Sequence, residues 1–225
     1  SLISSLLSGG FMKKGLLLVG DTSSKTASKE DKSTWPLFGD AGTATAFEFN
    51  PDAEAICFHL ATDGSGKDAI IIKDGGYRHM VSDESFEVKN HGDGINRSDV
   101  NLVLDGMDVF SFAVSKAPQT INLLCENFDL DKDNVDYFVF HQANLFLNET
   151  IRRKMKIDKA KVPYSLKNFG NTSSSSIPLT MVTEIREALI NGQLNLIGCG
   201  FGVGLSWGSV SFTTKNIACP ELVIY

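Results

Sequence analysis

Val135-Asp136-Tyr137-Phe138-Val139-Phe140-His141-Gln142-Ala143-Asn144 is the stretch on which the reading of the fold turns. Tyr137 to Phe140 is a short apolar run of aromatic and β-branched residues, the pattern of a strand buried on both faces. Polar and small residues end it, and Leu145 to Met155 has helical spacing. His141 therefore falls where a buried strand hands over to a helix, the edge of an open α/β sheet at which ligands bind. Near a helix N-terminus the positive end of the dipole disfavours imidazolium. A neutral imidazole offers one N–H to an oxygen that is gaining negative charge, without bringing a full charge of its own. The competing reading is a core histidine bonded to backbone.

Working outward, the segments on either side alternate between strand and helix. Ser1 to Leu7 reads as the last turns of an amphipathic helix ended by Gly9-Gly10. Such a helix needs the rest of its length to hold it, so the expectation is that the sequence is the later part of a longer protein. Gly15 to Gly20 reads as a buried strand and Ser23 to Thr34 as a surface loop. Thr43 to Phe49 and Ala55 to Ala61 read as strands, with a short one at Ala69 to Lys73. Gly75 to Asn101 is irregular and long enough to be a binding lid or a partner-contacting loop. Met107 to Phe128 has helical spacing, with Pro118 as a kink or boundary.

Beyond His141, Ser174 to Ile190 reads as one helix with Pro178 in its early turns and Gly192 past its end. Leu194 to Ile197 and Leu205 to Phe212 read as strands, with the glycine run Gly198 to Gly204 as the loop between them. The order strand, helix, strand, helix, strand, strand gives an α/β fold with sheets covered by helices.

Composition narrows the function classes. The 225 residues are 42% hydrophobic and 21% charged, ordinary for a globular chain, with a formal charge of -6. A nucleic-acid footprint would need a basic stripe, which is absent. Cys57, Cys125, Cys199 and Cys219 are far apart, with no Cys-x-x-Cys, and read as reduced thiols of a cytoplasmic protein. No apolar run approaches the roughly 18 residues of a membrane span. Met12-Lys13-Lys14 and the apolar run after it are too short for a signal peptide.

Four further features bear on chemistry. Asn171, in Gly170-Asn171-Thr172, reads either as a cap or turn residue or as a second neutral donor able to meet His141 at one oxygen. The glycine run lacks the following helix that a dinucleotide fingerprint needs. It allows either close backbone approach to a ligand or tight packing of two sheets. Neither Cys57 nor Cys199 opens a helix, so neither reads as a thiolate nucleophile. Arg152-Arg153-Lys154 and Lys156 read as a solvated helix face or as a dock for an acidic partner.

Taken in order, His141-Gln142-Ala143-Asn144, Gly170-Asn171-Thr172-Ser173 and Gly202-Val203-Gly204-Leu205-Ser206-Trp207-Gly208 closely resemble the ketoacyl-acyl-carrier-protein synthase III family of the thiolase-like fold. Phe38 to Gly42 and Gly15 to Asp21 resemble that family's earlier strands. The resemblance implies layered sheets and helices, α-β-α-β-α, incomplete at the N-terminus. Residues 1–105 would be the tail of the first half plus a connecting loop, and 106–225 the second half.

The implied chemistry is a Claisen condensation. A cysteine takes an acyl group from acyl-CoA, malonyl on acyl carrier protein decarboxylates, and the enolate attacks the acyl-cysteine. By motif match, His141 and Asn171 would stabilise the enolate. Asn144 would support the pair or the pantetheine tunnel, Gly106 would lie beside the pantetheine arm, Phe201 would line the pocket, and the Val203 N–H would serve a second oxyanion hole. Arg153 and Lys154 would help dock the carrier.

No cofactor or metal is implied beyond substrates carried on coenzyme A and phosphopantetheine, and a homodimer is implied. The sequence departs from the family twice. The nucleophilic cysteine is not among the four present and is expected upstream of Ser1. Phe146 also stands where the family often has a basic residue. A non-catalytic carrier-binding or scaffold module, and a same-fold synthase of specialised metabolism, are the rival readings.

Overall fold

Alternation along Tyr137–Phe140 assembles the molecule. Phe138 and Phe140 join one buried cluster and Val139 the other, on opposite faces of a strand whose last three residues are almost wholly buried. The computed structural model describes residues 1–224. In chain order it contains α1 (Leu2–Ser8), β1 (Lys14–Asp21), β2 (Ala41–Glu48), β3 (Cys57–Thr62), β4 (Ile70–Ile72), β5 (Lys89–Asn90), β6 (Asn96–Arg97), β7 (Leu102–Leu104), α2 (Gly106–Phe128) and β8 (Tyr137–Phe140). It continues with α3 (Leu145–Lys154), α4 (Leu166–Phe169), α5 (Ser176–Glu184), α6 (Arg186–Asn191), β9 (Gln193–Gly202) and β10 (Ser206–Lys215).

Strand β8 pairs parallel with β9, which pairs antiparallel with β10, which pairs antiparallel with β3. On one face of this sheet Phe138, Phe140, Ile197, Cys199 and Phe201 pack on Ala113, Ala117, Ile121 and Leu124 of α2 and on Leu147 and Ile151 of α3. On the other face Val139, Leu194 and Leu196 pack on Ile185 and Leu189. Each large side chain buried there is worth about 1.5–3 kcal/mol relative to exposure. Helix α5 contacts β8 and β9 on one side and β2 on the other, while α1 packs on the antiparallel β1–β2 pair. The layers therefore run α2/α3, sheet, α5, sheet, α1, the expected α-β-α-β-α order.

Asp105 starts α2 by accepting hydrogen bonds from the Met107 and Asp108 N–H groups, both at 3.0 Å. The helix then runs unbroken through Pro118. A proline there removes the donor that would pair with the Val114 carbonyl. Lys154 supplies the replacement, its Nζ donating to Val114 O at 3.0 Å.

Three expectations are corrected. The strand at Gly15 to Gly20 exists as part of β1 but is not buried. Leu16 and Leu18 are 58% and 67% exposed, because the sheet is two strands wide among the described residues. The glycine run is mostly strand, since β9 continues to Gly202 and only Val203 to Leu205 form the turn. Gly198 and Gly200 face Ile177 of α5, so side-chain space, not loop geometry, governs them. The helix expected over Ser174 to Ile190 is a short 3-10 turn, α5 and α6, broken at Ile185. Strand β3, from before Gly106, completes the sheet of β8 to β10.

Segment 37–39, which leads into β2, and segment 169–171, which leads towards α5, cross in an isolated parallel bridge. The Asn171 N–H donates to Leu37 O at 2.8 Å and the Gly39 N–H donates to Asn171 O at 3.0 Å. A Cβ at Gly39 would sit 2.0 Å from Phe169 O, and one at Gly170, already at φ +63°, would sit 2.8 Å from Leu37 O. Only glycine allows this approach. Gly39→Ala should therefore destabilise the protein by about 1–3 kcal/mol, read as a lower midpoint in chemical denaturation. Gly42→Ala, where a Cβ meets nothing within 4 Å, should change the midpoint far less.

Candidate active site

The crossing delivers Asn171, and the turn that follows it is bolted to the β1–β2 layer. Ser174 Oγ donates to Asp21 Oδ2 at 2.9 Å, and the Ser175 hydroxyl reaches the carbonyls of Ala41 and Val19 at 2.9 and 3.2 Å. Burial would raise the Asp21 carboxyl, but hydrogen bonds from Ser173 and Ser174 outweigh it and hold the group below its usual range. Asn171 Oδ1 accepts the Ser173 N–H at 2.9 Å, with Ser173 itself in the left-handed region at φ 51°. With its oxygen so used, the carboxamide keeps its NH₂ as a donor.

Strand β8 delivers His141 from the other sheet. Its backbone N–H donates to Cys199 O at 2.8 Å, and its carbonyl accepts Asn148 Nδ2 at 3.0 Å. Its ring Nδ1 lies 2.7 Å from Ser176 Oγ, and Phe201 meets the ring edge-on with centroids 5.4 Å apart. Burial pushes the imidazole down to about 4, with the Ser173 backbone working weakly the other way. The ring is neutral near pH 7. His141 and Asn171, thirty residues apart in sequence, thus meet the same turn, the ring at the Ser176 hydroxyl and the carboxamide oxygen at the Ser173 N–H, and Phe201 packs on the ring.

The remaining candidates divide. Asn144 caps α3, its Oδ1 accepting the Leu147 N–H at 2.8 Å, so the cap reading holds for that oxygen. Gly106 opens α2, and a Cβ placed on it would meet nothing within 4 Å, so the space beside it is open. Val203 is 66% exposed at the β9–β10 turn, and its N–H bonds no backbone group among the described residues. No hydrogen bond joins it to His141 or Asn171.

Of the basic run, Arg152 pairs with Glu149 at 2.9 Å and bonds Ile157 O at 2.7 Å, and Lys154 is committed to Val114. Arg153 is exposed and only loosely paired with Glu149, at 3.5 Å. Phe146, 73% exposed, stacks on Phe110 at 5.4 Å.

None of the cysteines is activated. Burial pushes the Cys199 thiol up to about 12 and raises those of Cys57, Cys125 and Cys219. Among the described residues no cluster of three or more His, Cys, Asp or Glu side chains could hold a metal ion. None of their helices is long and apolar enough to cross a membrane.

Three contributors escape sequence reading. Ser176 and Asp21 are distant from their partners along the chain, and no local pattern marks them. Asn148 does carry a signal, since it lies one helical turn after Asn144 and so shares its face.

The imidazole yields a direct prediction. An NMR titration of the His141 ring should show a midpoint near 4, not 6.5. Because the folded value is depressed, this group's contribution to stability is complete above about 6.5 and is lost as pH falls from there towards 4. A midpoint at 6 or above would contradict a buried neutral ring.

Comparisons with known proteins agree with this architecture. Residues 1–64 match the family model described as 3-oxoacyl-(acyl-carrier-protein) synthase III, and residues 125–214 match the model of that synthase's C-terminal part. The beta-ketoacyl-(acyl-carrier-protein) synthase III of Clostridioides difficile is 32% identical over 200 residues, 89% of this chain and 58% of the relative. That of Streptococcus agalactiae is 32% identical over 207 residues, 91% of this chain and 60% of the relative. The crystal structure of a 3-oxoacyl-(acyl-carrier-protein) synthase from Burkholderia xenovorans superposes with a TM-score of 0.87 at 36% identity, covering 98% of this chain and 61% of that one. The chain thus spans about three fifths of the length of the relatives it matches. With both family models matched in order and the layered fold shared, the chain belongs to the 3-oxoacyl-(acyl-carrier-protein) synthase III family.

Proposed function

We propose that this chain carries the enolate-forming half of a decarboxylating Claisen condensation, in which malonyl on an acyl carrier protein extends an acyl primer delivered by acyl-CoA, the initiation step of fatty acid synthesis. The observation that carries it is that a neutral imidazole at the end of β8 and the carboxamide of Asn171 are anchored to one and the same turn, Ser173 to Ser176.

As the bond from C2 to the malonyl carboxylate breaks, CO₂ leaves and the electron pair passes into the thioester. Negative charge gathers on the thioester oxygen. The His141 N–H and the Asn171 NH₂ stabilise that charge as hydrogen-bond donors. A cation there would bind the malonyl carboxylate as well as the enolate and so would stabilise the ground state with the transition state. The carbanion then attacks an acyl-thioester carbonyl, whose oxygen would meet the free N–H of Val203, and collapse expels the cysteine thiolate. Phe201 shields the pair from water, and Gly106 leaves room for a pantetheine arm.

The reading gives the acyl-acceptor role to none of the four cysteines present. The acyl carrier protein, acyl-CoA and a second copy of the chain are its partners. Arg153 is the exposed cation of α3 suited to an acidic carrier, and Asn144 borders the approach. The unactivated thiols favour one rival, a carrier-binding module without catalysis, which would bind malonyl carrier and leave it intact.

His141→Ala and Asn171→Ala in the intact protein should each lower malonyl-thioester decarboxylation by about 10²- to 10³-fold, roughly 2.7–4 kcal/mol of barrier. Unchanged rates would remove the residue from the mechanism, and a wild-type protein without decarboxylation would favour the module. Incubation with labelled acyl-CoA should leave Cys57, Cys125, Cys199 and Cys219 unmodified by peptide mass mapping. Stoichiometric acylation of any one of them would reverse that part of the reading.

A further inference from the structure

Enolate stabilisation needs a particular proton on His141, and the surroundings of the ring select it. A neutral imidazole has two tautomers, and the partner of one nitrogen sets the state of the other. Nδ1 lies 2.7 Å from Ser176 Oγ. Ser176 is 1% exposed and starts α5, so water does not reach its hydroxyl. Its Oγ has no other hydrogen-bond partner among the described residues, although its backbone carbonyl accepts Thr180 Oγ1 at 2.8 Å.

The Ser173 backbone is the ring's other polar neighbour and favours a proton on it, but the only hydrogen bond the ring makes among the described residues is the one at Nδ1, and the Ser176 hydroxyl there needs an acceptor. If Nδ1–H donated to Oγ, the hydroxyl proton of Ser176 would be buried with no acceptor, which is strongly disfavoured. If the hydroxyl donates to an unprotonated Nδ1, both groups are satisfied and the single ring proton stays on Nε2. Ser176 lies thirty-five residues after His141 and comes from the helix packed between the two sheets.

We propose that Ser176 is a positioning residue that fixes His141 as the Nε2–H tautomer, so that the ring presents a donor and not a lone pair to the incoming oxygen. This deepens the reading of the site given above and rests on it for its catalytic meaning. The tautomer itself is a property of the resting protein.

That separation shapes the test. In intact protein labelled with ¹⁵N-histidine, His141 being assigned among the four histidines by loss of its signals in His141→Gln, two-bond proton–nitrogen correlation near pH 7 should show a protonated Nε2 and an unprotonated Nδ1. Ser176→Ala should move both nitrogens towards an averaged tautomer mixture. It should lower kcat for malonyl-thioester decarboxylation about 10- to 100-fold with KM little changed. Ser176→Thr, which keeps the hydroxyl, should restore the wild-type tautomer and most of the rate.

A protonated Nδ1 in the wild type overturns the proposal, and that measurement needs no variant to fold. An unchanged tautomer in Ser176→Ala also overturns it. If the tautomer responds as expected while His141→Ala leaves decarboxylation unaffected, the positioning role stands and the enolate reading falls.

Discussion

The molecule is organised by two backbone hydrogen bonds where segments 37–39 and 169–171 cross. One segment leads into β2 and the other towards α5, and the contact is so close that a side chain on either glycine would meet a carbonyl oxygen. Everything catalytic in the reading depends on that crossing. It sets the backbone of Asn171, and the next four residues inherit their position from it through the hydroxyls of Ser174 and Ser175 and the carboxylate of Asp21. Helix α5 begins within the same segment, so the helix that separates the sheets and the turn that carries the carboxamide are placed together. His141 arrives independently, at the end of a strand locked by packing on both faces.

Burial gives that site its chemical character. A histidine in water spends part of its time charged near neutral pH. Desolvation removes that option for His141, whose neutral form is the useful one where a carboxylate must be shed and an oxygen must gain charge. The carboxamide of Asn171 is neutral at any pH. Both donors are fixed before substrate arrives, so little reorganisation is needed as the charge forms. The same desolvation acts in the opposite sense on the thiol of Cys199, a residue of the same buried cluster as Phe201, and keeps it protonated.

Much of this is legible in the chain. The run from Tyr137 to Phe140 announces a two-faced buried strand because its apolar content has no polar alternation, and the structure has it so. Helical spacing locates α2 and α3 to within a few residues. The misreadings have specific physical causes. Gly15 to Gly20 is as apolar as a buried strand, but hydrophobicity records what a strand is able to bury, not how wide its sheet is. The glycines of β9 look like a loop, because a one-dimensional pattern does not reveal that Ile177 and Val210 fill the space above them. Ser176 is invisible for a similar reason: a serine early in a helix is common, and only the packing of α5 against β8 brings its hydroxyl to the ring.

Pro118 and Lys154 carry a separate lesson about reading surface charge. The ammonium of Lys154 mends the ladder that the proline interrupts, so it serves as a rivet between two helices. Charge reversal at that position would strain the α2–α3 junction as well as alter the electrostatic face. Loss of partner recognition in such a variant would conflate a loosened scaffold with a missing contact. Its neighbour Arg153 is paired only loosely, at 3.5 Å, with Glu149 of the same helix, so its replacement leaves the α2–α3 junction in place.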